Sequence, residues 1–146
     1  MTKRVAASSE IIIDRPPAEV FAFFADAEND PQWRSGVLSI RRVGLLGVGT
    51  VYEQSVAGPG GRAIRADIRV TAYEPDRRVA FETIAGPVRP QGEFRFEPVQ
   101  GGTRVHFDLV AELSGLKAVV MAGPVQKTMD AEVAALAGAK ELLERS

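Results

Sequence analysis

The only histidine, His106, is the first residue to consider for acid–base chemistry, because its side chain can change charge near neutral pH. It stands between Val105 and Phe107 in an alternating apolar stretch, so on a β-strand it faces away from them. We therefore predict that His106 lies on a solvent-facing surface. A Ser-His-Asp triad is disfavoured for this reason, and the sequence contains no Gly-x-Ser-x-Gly motif to present a serine nucleophile.

Metal and nucleotide chemistry are also disfavoured. The chain has no cysteine, which excludes disulfides, thiolate nucleophiles and cysteine metal ligands. A single histidine leaves the common zinc sites short of ligands. Gly44, Gly47 and Gly49 resemble a phosphate-binding loop only superficially, because a strand follows them where a nucleotide-binding loop needs a helix. We expect no metal and no cofactor.

The charge pattern gives no indication of a polyanionic partner. Eighteen basic and nineteen acidic residues leave a net charge of −1, and Asp67 is interleaved with Arg62, Arg65 and Arg69. No apolar run approaches the roughly 20 residues that cross a bilayer, and the first residues lack the apolar core of a signal peptide. We expect a cytoplasmic chain with no nucleic-acid partner and no membrane insertion, and the sequence is compatible with a homodimer.

The elements that would position a site are mostly β-strands. Residues 63–73 alternate clearly, with Ile64, Ala66, Ile68 and Val70 facing one way and Asp67 facing the other. Glycine-rich turns separate the strands, which indicates successive hairpins and an antiparallel sheet. The predicted strands are residues 8–14, 37–43, 50–56, 63–73, 79–85, 92–98 and 103–113.

Helices are predicted after the first strand and at the end of the chain. Pro16 and Pro17 open the first helix, and a second short helical turn carries Trp33. The C-terminal segment should kink or restart at Pro124, and its remaining ~20 residues would make a helix of about 30 Å, enough to cross the concave face of the sheet. Its apolar stripe is Val125, Met129, Val133, Leu136 and Leu143.

Four local motifs carry a resemblance to a known family. They are residues 13–21 (IDRPPAEVF), 30–33 (DPQW), 47–50 (GVGT) and 101–105 (GGTRV). In this order they resemble the helix-grip fold of the SRPBCC, or START-like, superfamily, and within it the bacterial polyketide cyclase/dehydrase-like group. The resemblance implies a single α+β domain over residues 1–146. In it a seven-stranded curved antiparallel sheet wraps around a long C-terminal helix, with two short helices between strands one and two.

The resemblance also implies a ligand cavity between the sheet and the helix. The pattern of the third strand alone leaves open which of two alternating sets of side chains faces inward. One set is Tyr52, Gln54 and Val56, and the other is Val51, Glu53 and Ser55. The resemblance favours the first set. Trp33 is expected near the mouth, with Tyr52, Gln54 and Thr83 as polar contacts. Part of this set would equally form a plain core. The expected ligand-binding residues are Trp33, Tyr52, Gln54, Val56, Phe81, Thr83, Phe94, Phe96, Phe107, Leu109, Val125, Met129 and Val133.

Three functions stand against one another, because this fold serves several. The first is binding of a small hydrophobic molecule, such as a lipid, polyketide or aromatic metabolite, which the aromatic inner face favours. The second is a polyketide cyclase or aromatase acting in the same cavity through Tyr52, Gln54 and Thr83, with Arg89 as a further candidate. The third is an assembly role, which a large exposed apolar patch would favour.

Overall fold

The computed structural model describes residues 2–146 and is built around one curved antiparallel sheet. Its strand order is β1-β8-β7-β6-β5-β3-β2, and β4 pairs with β3 beside this path. The predicted α+β architecture is confirmed. The strands are β1 (Thr2–Ile13), β2 (Val37–Val43), β3 (Val51–Ala57), β4 (Ala63–Arg65), β5 (Ile68–Glu74), β6 (Arg78–Thr83), β7 (Gln91–Val99) and β8 (Gly102–Ser114).

The strand predicted over residues 63–73 is interrupted, which raises the strand number from seven to eight. β4 and β5 keep one register on β3, with Ile64 opposite Val56 and Ile68 opposite Tyr52. Between them Asp67 is buried, so the solvent exposure predicted for it is wrong. The carboxylate of Asp67 accepts hydrogen bonds from the Gln54 amide at 3.0 Å and from Arg65 at 2.8 Å. These bonds stabilise its charge in place of water.

The helices follow β1 and β8. A 3-10 turn, Ala27–Gln32, follows the first helix and leads to Trp33. The predicted restart at Pro124 is confirmed, since this proline lies in the first turn of a helix where it costs no hydrogen bond. Within residues 2–146 no helix has both the length and the apolar character to cross a bilayer. The helices are α1 (Pro17–Ala25), α2 (Leu116–Val120), α3 (Ala122–Ala134) and α4 (Leu136–Arg145).

The long C-terminal helix consists of α3 and α4, which meet at Ala135. The Ala135 amide donates to the carbonyls of both Ala131 and Glu132, at 3.1 and 3.2 Å, and Gly138 donates to Ala135 in the tighter 3-10 pattern. The single uninterrupted helix predicted after Pro124 therefore has a break at this alanine.

The C-terminal helix lies chiefly over β1 and β8, while α1 covers β6, β7 and β8. The apolar stripe of α3 and α4 faces the sheet, and Met129, Val133 and Leu136 are buried there. Ser9 on β1 donates to the carbonyl of Val133 at 2.6 Å, and Lys140 donates to the carbonyl of Ile12 at 2.7 Å. These bonds position α3 and α4 along the first strand.

Candidate functional site

An aromatic cluster covers the centre of the inner face of the sheet. Phe94 on β7 and Phe107 on β8 are cross-strand partners whose rings stack with centroids 4.2 Å apart. Phe24 from α1 stacks on Phe94 at 5.0 Å, and Trp33 meets Phe94 and Phe107 edge-on at 6.1 and 6.0 Å. Offset and edge-to-face geometries of this kind stabilise buried rings beyond their area alone. Trp33 is 7% exposed inside this cluster.

The inward-facing set on β3 is the one that begins at Tyr52. Tyr52 and Gln54 are 0% and 5% exposed, whereas Val51, Glu53 and Ser55 remain half-buried. The other predicted ligand-binding residues fall into two groups by burial. Buried are Phe94, Phe96, Phe107, Leu109, Met129 and Val133, and half-buried are Val56, Phe81, Thr83 and Val125.

Little free space remains beside the aromatic cluster. A cavity of about 20 Å³ is lined by Tyr52, Phe81 and Phe94 from the predicted set, together with Phe24, Asp30 and residues of β5 and β6. This volume holds about one water molecule. This cavity is therefore far smaller than the ligand-sized cavity that the resemblance implies.

A glycine helps to close the cavity. Gly92 on β7 lies opposite Phe81 on β6, and a β-carbon at Gly92 would fall 2.3 Å from the Phe81 ring. The absence of a side chain at this position lets the ring lie directly on the backbone of the neighbouring strand.

A buried ionic cluster lies beside the aromatic cluster and consists of Asp30, Arg34 and Glu132. Arg34 donates to Glu132 through Nε at 2.6 Å and Nη2 at 3.2 Å, and through Nη1 to Asp30 at 2.8 Å. Nη1 also reaches the side-chain oxygen of Gln54 at 3.3 Å. The side chains of Asp30, Arg34 and Glu132 are only 8%, 14% and 21% exposed. Arg34 thereby joins the 3-10 turn to β3 and to α3.

Burial changes the protonation of this cluster. Desolvation raises the pKa of Asp30 to about 6, against the opposing effect of the Arg34 charge. Burial lowers the pKa of Arg34, but the carboxylates of Glu132 and Asp30 more than offset this, so the pKa stays above its usual value. Asp30 is therefore a carboxyl group that exchanges its proton close to neutral pH, while Arg34 remains charged.

Two polar atoms in this region have no hydrogen-bond partner, namely Oδ1 of Asp30 and Nε1 of Trp33. The indole N–H faces the carboxyl group and slightly lowers the pKa of Asp30, yet it does not reach hydrogen-bond geometry. Buried polar groups are nearly always paired, because an unpaired one loses its hydration without compensation.

Tyr52 lines the small cavity and carries a buried hydroxyl group. Its oxygen lies 3.5 Å from the carbonyl of Ala25 and 3.4 Å from Oδ1 of Asp26, which makes both hydrogen bonds long. Burial raises the pKa of Tyr52 to about 12, so the hydroxyl keeps its proton at neutral pH and can donate it to a hydrogen bond.

The sequence prediction missed the ionic cluster. In the sequence, Asp30 stands out only as part of the motif with Trp33, although Arg34 four residues later forms an i,i+4 pair with it. Glu132 lies beside Val133 in the apolar stripe of α3. This position of Glu132, next to a buried apolar stripe, is the one feature of the sequence that indicates a buried charge.

The outer face of the sheet holds the remaining candidates. His106 is on this face as predicted, 3.0 Å from a carboxylate oxygen of Glu10 and 3.5 Å from one of Glu97. Arg89 lies in an exposed loop and donates to the carbonyl of Gly86 at 3.1 Å. In residues 2–146 no three His, Cys, Asp or Glu side chains come together as a metal site.

An open depression of about 830 Å³ also lies on the outer face, across β1, β8, β7, β6 and β5. Outward-facing side chains such as Arg4, Ser8, Glu82, Glu93 and Asp108 line it. This lining is polar and mixed in charge, unlike the apolar walls that hold small organic ligands. The interior site is therefore the stronger candidate.

Comparison with known proteins agrees with this fold. The family model described as polyketide cyclase / dehydrase and lipid transport matches residues 4–141. No curated protein matches the sequence. Among solved structures, the protein TTHA0849 from Thermus thermophilus is 26% identical, with a TM-score of 0.77 and 99% of each chain covered.

Two further solved structures share the fold at lower identity. The di-domain ARO/CYC protein StfQ from the steffimycin biosynthetic pathway is 14% identical with a TM-score of 0.81, and the match covers 97% of this chain and 51% of that one. Ara h 8.0201 is 17% identical with a TM-score of 0.66, and the match covers 94% of this chain and 98% of that one.

Proposed function

Because the chain belongs to the polyketide cyclase / dehydrase and lipid transport family, we propose that it binds a small hydrophobic molecule between the inner face of the sheet and the helices. The observation that carries this proposal is the aromatic cluster around the small cavity. An apolar ligand placed against these rings gains about 25 cal/mol for each Å² of apolar surface removed from water.

Ligand uptake requires the cavity to widen beyond the volume of one water. Half-buried apolar side chains surround the buried cluster, among them Phe81, Val88, Met121 and Val125. Such side chains make fewer contacts than those in the centre, so they are the ones expected to move. Lys117 on α2 donates to the carbonyl of Pro87 at 2.8 Å, which connects the loop after β6 to α2, the helix that precedes α3. We infer that the ligand enters between this loop and α3.

Uptake of the neutral fluorescent dye N-phenyl-1-naphthylamine tests the proposal. Val79 lines the small cavity, so Val79→Phe should fill it and weaken dye binding at least about 10-fold. Val110→Phe is the matched control, because Val110 is half-buried on the outer face and its replacement should leave dye binding unchanged. Organic extraction and mass spectrometry of the purified protein would identify apolar molecules that it carries.

The proposal is contradicted by a folded wild-type protein that takes up no dye and carries no extractable apolar molecule. Unchanged dye binding by a folded Val79→Phe variant would contradict the location of the site.

One observation favours a second candidate function, that of a polyketide cyclase. Asp30 and Tyr52 both line the cavity, and a carboxyl group with a pKa of about 6 is suited to general base catalysis. In an aldol cyclisation, Asp30 would take a proton from the carbon next to a ketone while Tyr52 donates a hydrogen bond to the carbonyl that is attacked. A carbon–carbon bond forms as the carbonyl π bond opens to an alkoxide, and the alkoxide takes up the proton held by Asp30. Loss of the new hydroxyl group and a neighbouring hydrogen as water then yields the unsaturated ring.

Chromatography of products from a synthetic poly-β-ketone thioester tests this candidate. Wild-type protein should accelerate ring formation. Asp30→Asn should abolish the acceleration, and Tyr52→Phe should reduce it by about 10- to 100-fold. Acceleration that survives Asp30→Asn would exclude Asp30 as the base, and dye binding without any acceleration would leave the binding function alone.

A further inference from the structure

The unpaired atoms of Asp30 and Trp33 form a small polar site inside an apolar wall. The Asp30 side chain is 8% exposed and Trp33 is 7% exposed, and Asp30 lines the small cavity. Oδ1 of Asp30 is a free hydrogen-bond acceptor and Nε1 of Trp33 a free donor. Both lie beside the rings of Phe24 and Phe94. The region therefore offers one acceptor and one donor within an otherwise apolar surface.

A hydroxyl group is the smallest group that satisfies both atoms at once, because it donates one hydrogen bond and accepts others. Building on the proposed binding function, we propose that the ligand is a neutral alcohol or phenol. Its hydroxyl group donates to Oδ1 of Asp30 and accepts from Nε1 of Trp33. Its apolar body lies against the aromatic cluster.

The ionic cluster disfavours an acidic ligand at this position. Arg34 is the cation of this cluster, and its donors are engaged by Glu132, Asp30 and Gln54. Two carboxyl groups surround one guanidinium, so a carboxylate or phosphate from the ligand would add a third negative charge at low dielectric. A neutral hydroxyl group adds none.

The same geometry identifies the ligand-free state. A cavity of about 20 Å³, which Asp30 lines and Trp33 does not, accommodates one water molecule that can donate a hydrogen bond to Asp30. A ligand hydroxyl replaces that water and donates to Asp30 in the same way, and once the site has widened to take the ligand it also accepts from Nε1 of Trp33. An apolar ligand of the same shape displaces the water and leaves a buried acceptor and donor unpaired, which costs affinity.

Three naphthalene derivatives of similar size test this inference through displacement of N-phenyl-1-naphthylamine. We expect 2-naphthol to bind at least about 10-fold more tightly than 2-methylnaphthalene, because only the naphthol pairs the buried atoms. We also expect 2-naphthol to bind more tightly than 2-naphthoate. Trp33→Phe removes the donor, and it should reduce the ratio of naphthol to methylnaphthalene affinity to within about threefold of unity. Any loss of packing affects both compounds, so the ratio reports the N–H alone.

A second measurement uses the fact that Trp33 is the only tryptophan. In ¹⁵N-labelled protein the single indole N–H resonance should move downfield when 2-naphthol binds and much less when 2-methylnaphthalene binds.

The outcomes separate this inference from the function on which it rests. If 2-naphthol and 2-methylnaphthalene bind equally well, binding stands and the hydroxyl site is wrong. The site is equally wrong if 2-naphthoate binds most tightly, or if Asp30→Asn moves the indole resonance of the ligand-free protein while naphthol leaves it in place. If neither the dye nor any of the three compounds binds to the folded protein, both proposals fail.

Discussion

The two faces of the sheet both carry arginine–carboxylate pairs, but they hold them in opposite environments. On the outer face Arg95 lies 3.2 Å from Asp108, with side chains 50% and 43% exposed. On the inner face Arg34 lies 2.6 Å from Glu132, with side chains 14% and 21% exposed. Water screens the first pair, which contributes little to stability. The second pair has lost its hydration, and it is stable only while all its members are present.

The difference between the two faces shows which charged side chains are informative about function. The outer pairs accompany the alternation of a solvated sheet face, and any soluble sheet would carry similar ones. The inner cluster costs desolvation energy that an apolar core would avoid. It also adjoins a cavity and two unpaired polar atoms. We infer that its role is to orient a ligand.

The largest expected effect comes from removing the central charge of the inner cluster. Arg34→Met leaves the carboxyl groups of Asp30 and Glu132 buried without a countercharge and should lower the free energy of unfolding by about 3–5 kcal/mol. Urea denaturation measures this. Arg95→Met is the matched control on the outer face and should cause a far smaller loss. Equal losses in the two variants would contradict the contrast between the faces.

The pH dependence of stability distinguishes the carboxyl groups of the two environments. The folded pKa of Asp30, about 6, lies above its ordinary value of 3.8. The folded state therefore binds the proton more tightly, and its stability falls as the pH rises from about 4 to 6. The wild-type advantage over Asp30→Asn should shrink by up to about 3 kcal/mol across that range in urea denaturation.

Glu144 provides the control of opposite sign. Its pKa is lowered by the ammonium group of Lys140 and by the amide of Asp14. The advantage of wild type over Glu144→Gln should therefore be lost as the pH falls below about 4.5. Parallel slopes for the Asp30 and Glu144 variants would contradict the assigned environments.

A steric test probes the inner face without changing a charge. Gly92→Ala would place a β-carbon 2.3 Å from the Phe81 ring, so the ring must move, and the free energy of unfolding should fall by about 1–3 kcal/mol. Gly36→Ala is the control, because no atom lies within 4 Å of its added carbon. Faster dye uptake by Gly92→Ala would identify Phe81 as part of the ligand route. If Gly92→Ala lowers the free energy of unfolding no more than Gly36→Ala does, the Phe81 ring can move aside without a cost in stability.

The smallest effect is expected on the outer face. Arg104 lies 2.7 Å from Glu97, beside His106. Arg104→Met should cause a slight loss of stability that disappears in about 1 M NaCl, because salt screens exposed charges. The loss caused by Arg34→Met should persist in the same salt. If the loss of stability caused by Arg104→Met persists in salt, the pair of Arg104 and Glu97 is shielded from water.

Much of the fold follows from local sequence patterns. The bounds of β2 were predicted to the residue, because Gly36 and Gly44 flank it. The location of His106 followed from the period-2 rule alone. The predicted exposure of Asp67 was wrong because that rule assumes an unbroken strand, whereas the chain is interrupted here and the Asp67 carboxylate is bound by Gln54 and Arg65.

The candidate site was less accessible from sequence. Arg34 and Glu132 are 98 residues apart, and only the packing of α3 onto the sheet brings them together. The cavity volume depends on how rings such as Phe81 pack, and no pattern of residue types specifies that. Tyr52 and Gln54 were assigned to the inner face through family resemblance, because the alternation of β3 alone allowed both faces.

The pairing of β1 with β8 has a consequence for how the protein is made. β1 is translated before the other strands, yet its neighbour in the sheet begins at Gly102, and Ser9 bonds to a carbonyl 124 residues away. The apolar side chains of β1, such as Val5 and Ile13, stay uncovered until β8 and the C-terminal helix have been synthesised. Such distant contacts form slowly and leave an unpaired strand edge exposed during translation. We expect nascent chains that stop before β8 to aggregate or to bind chaperones.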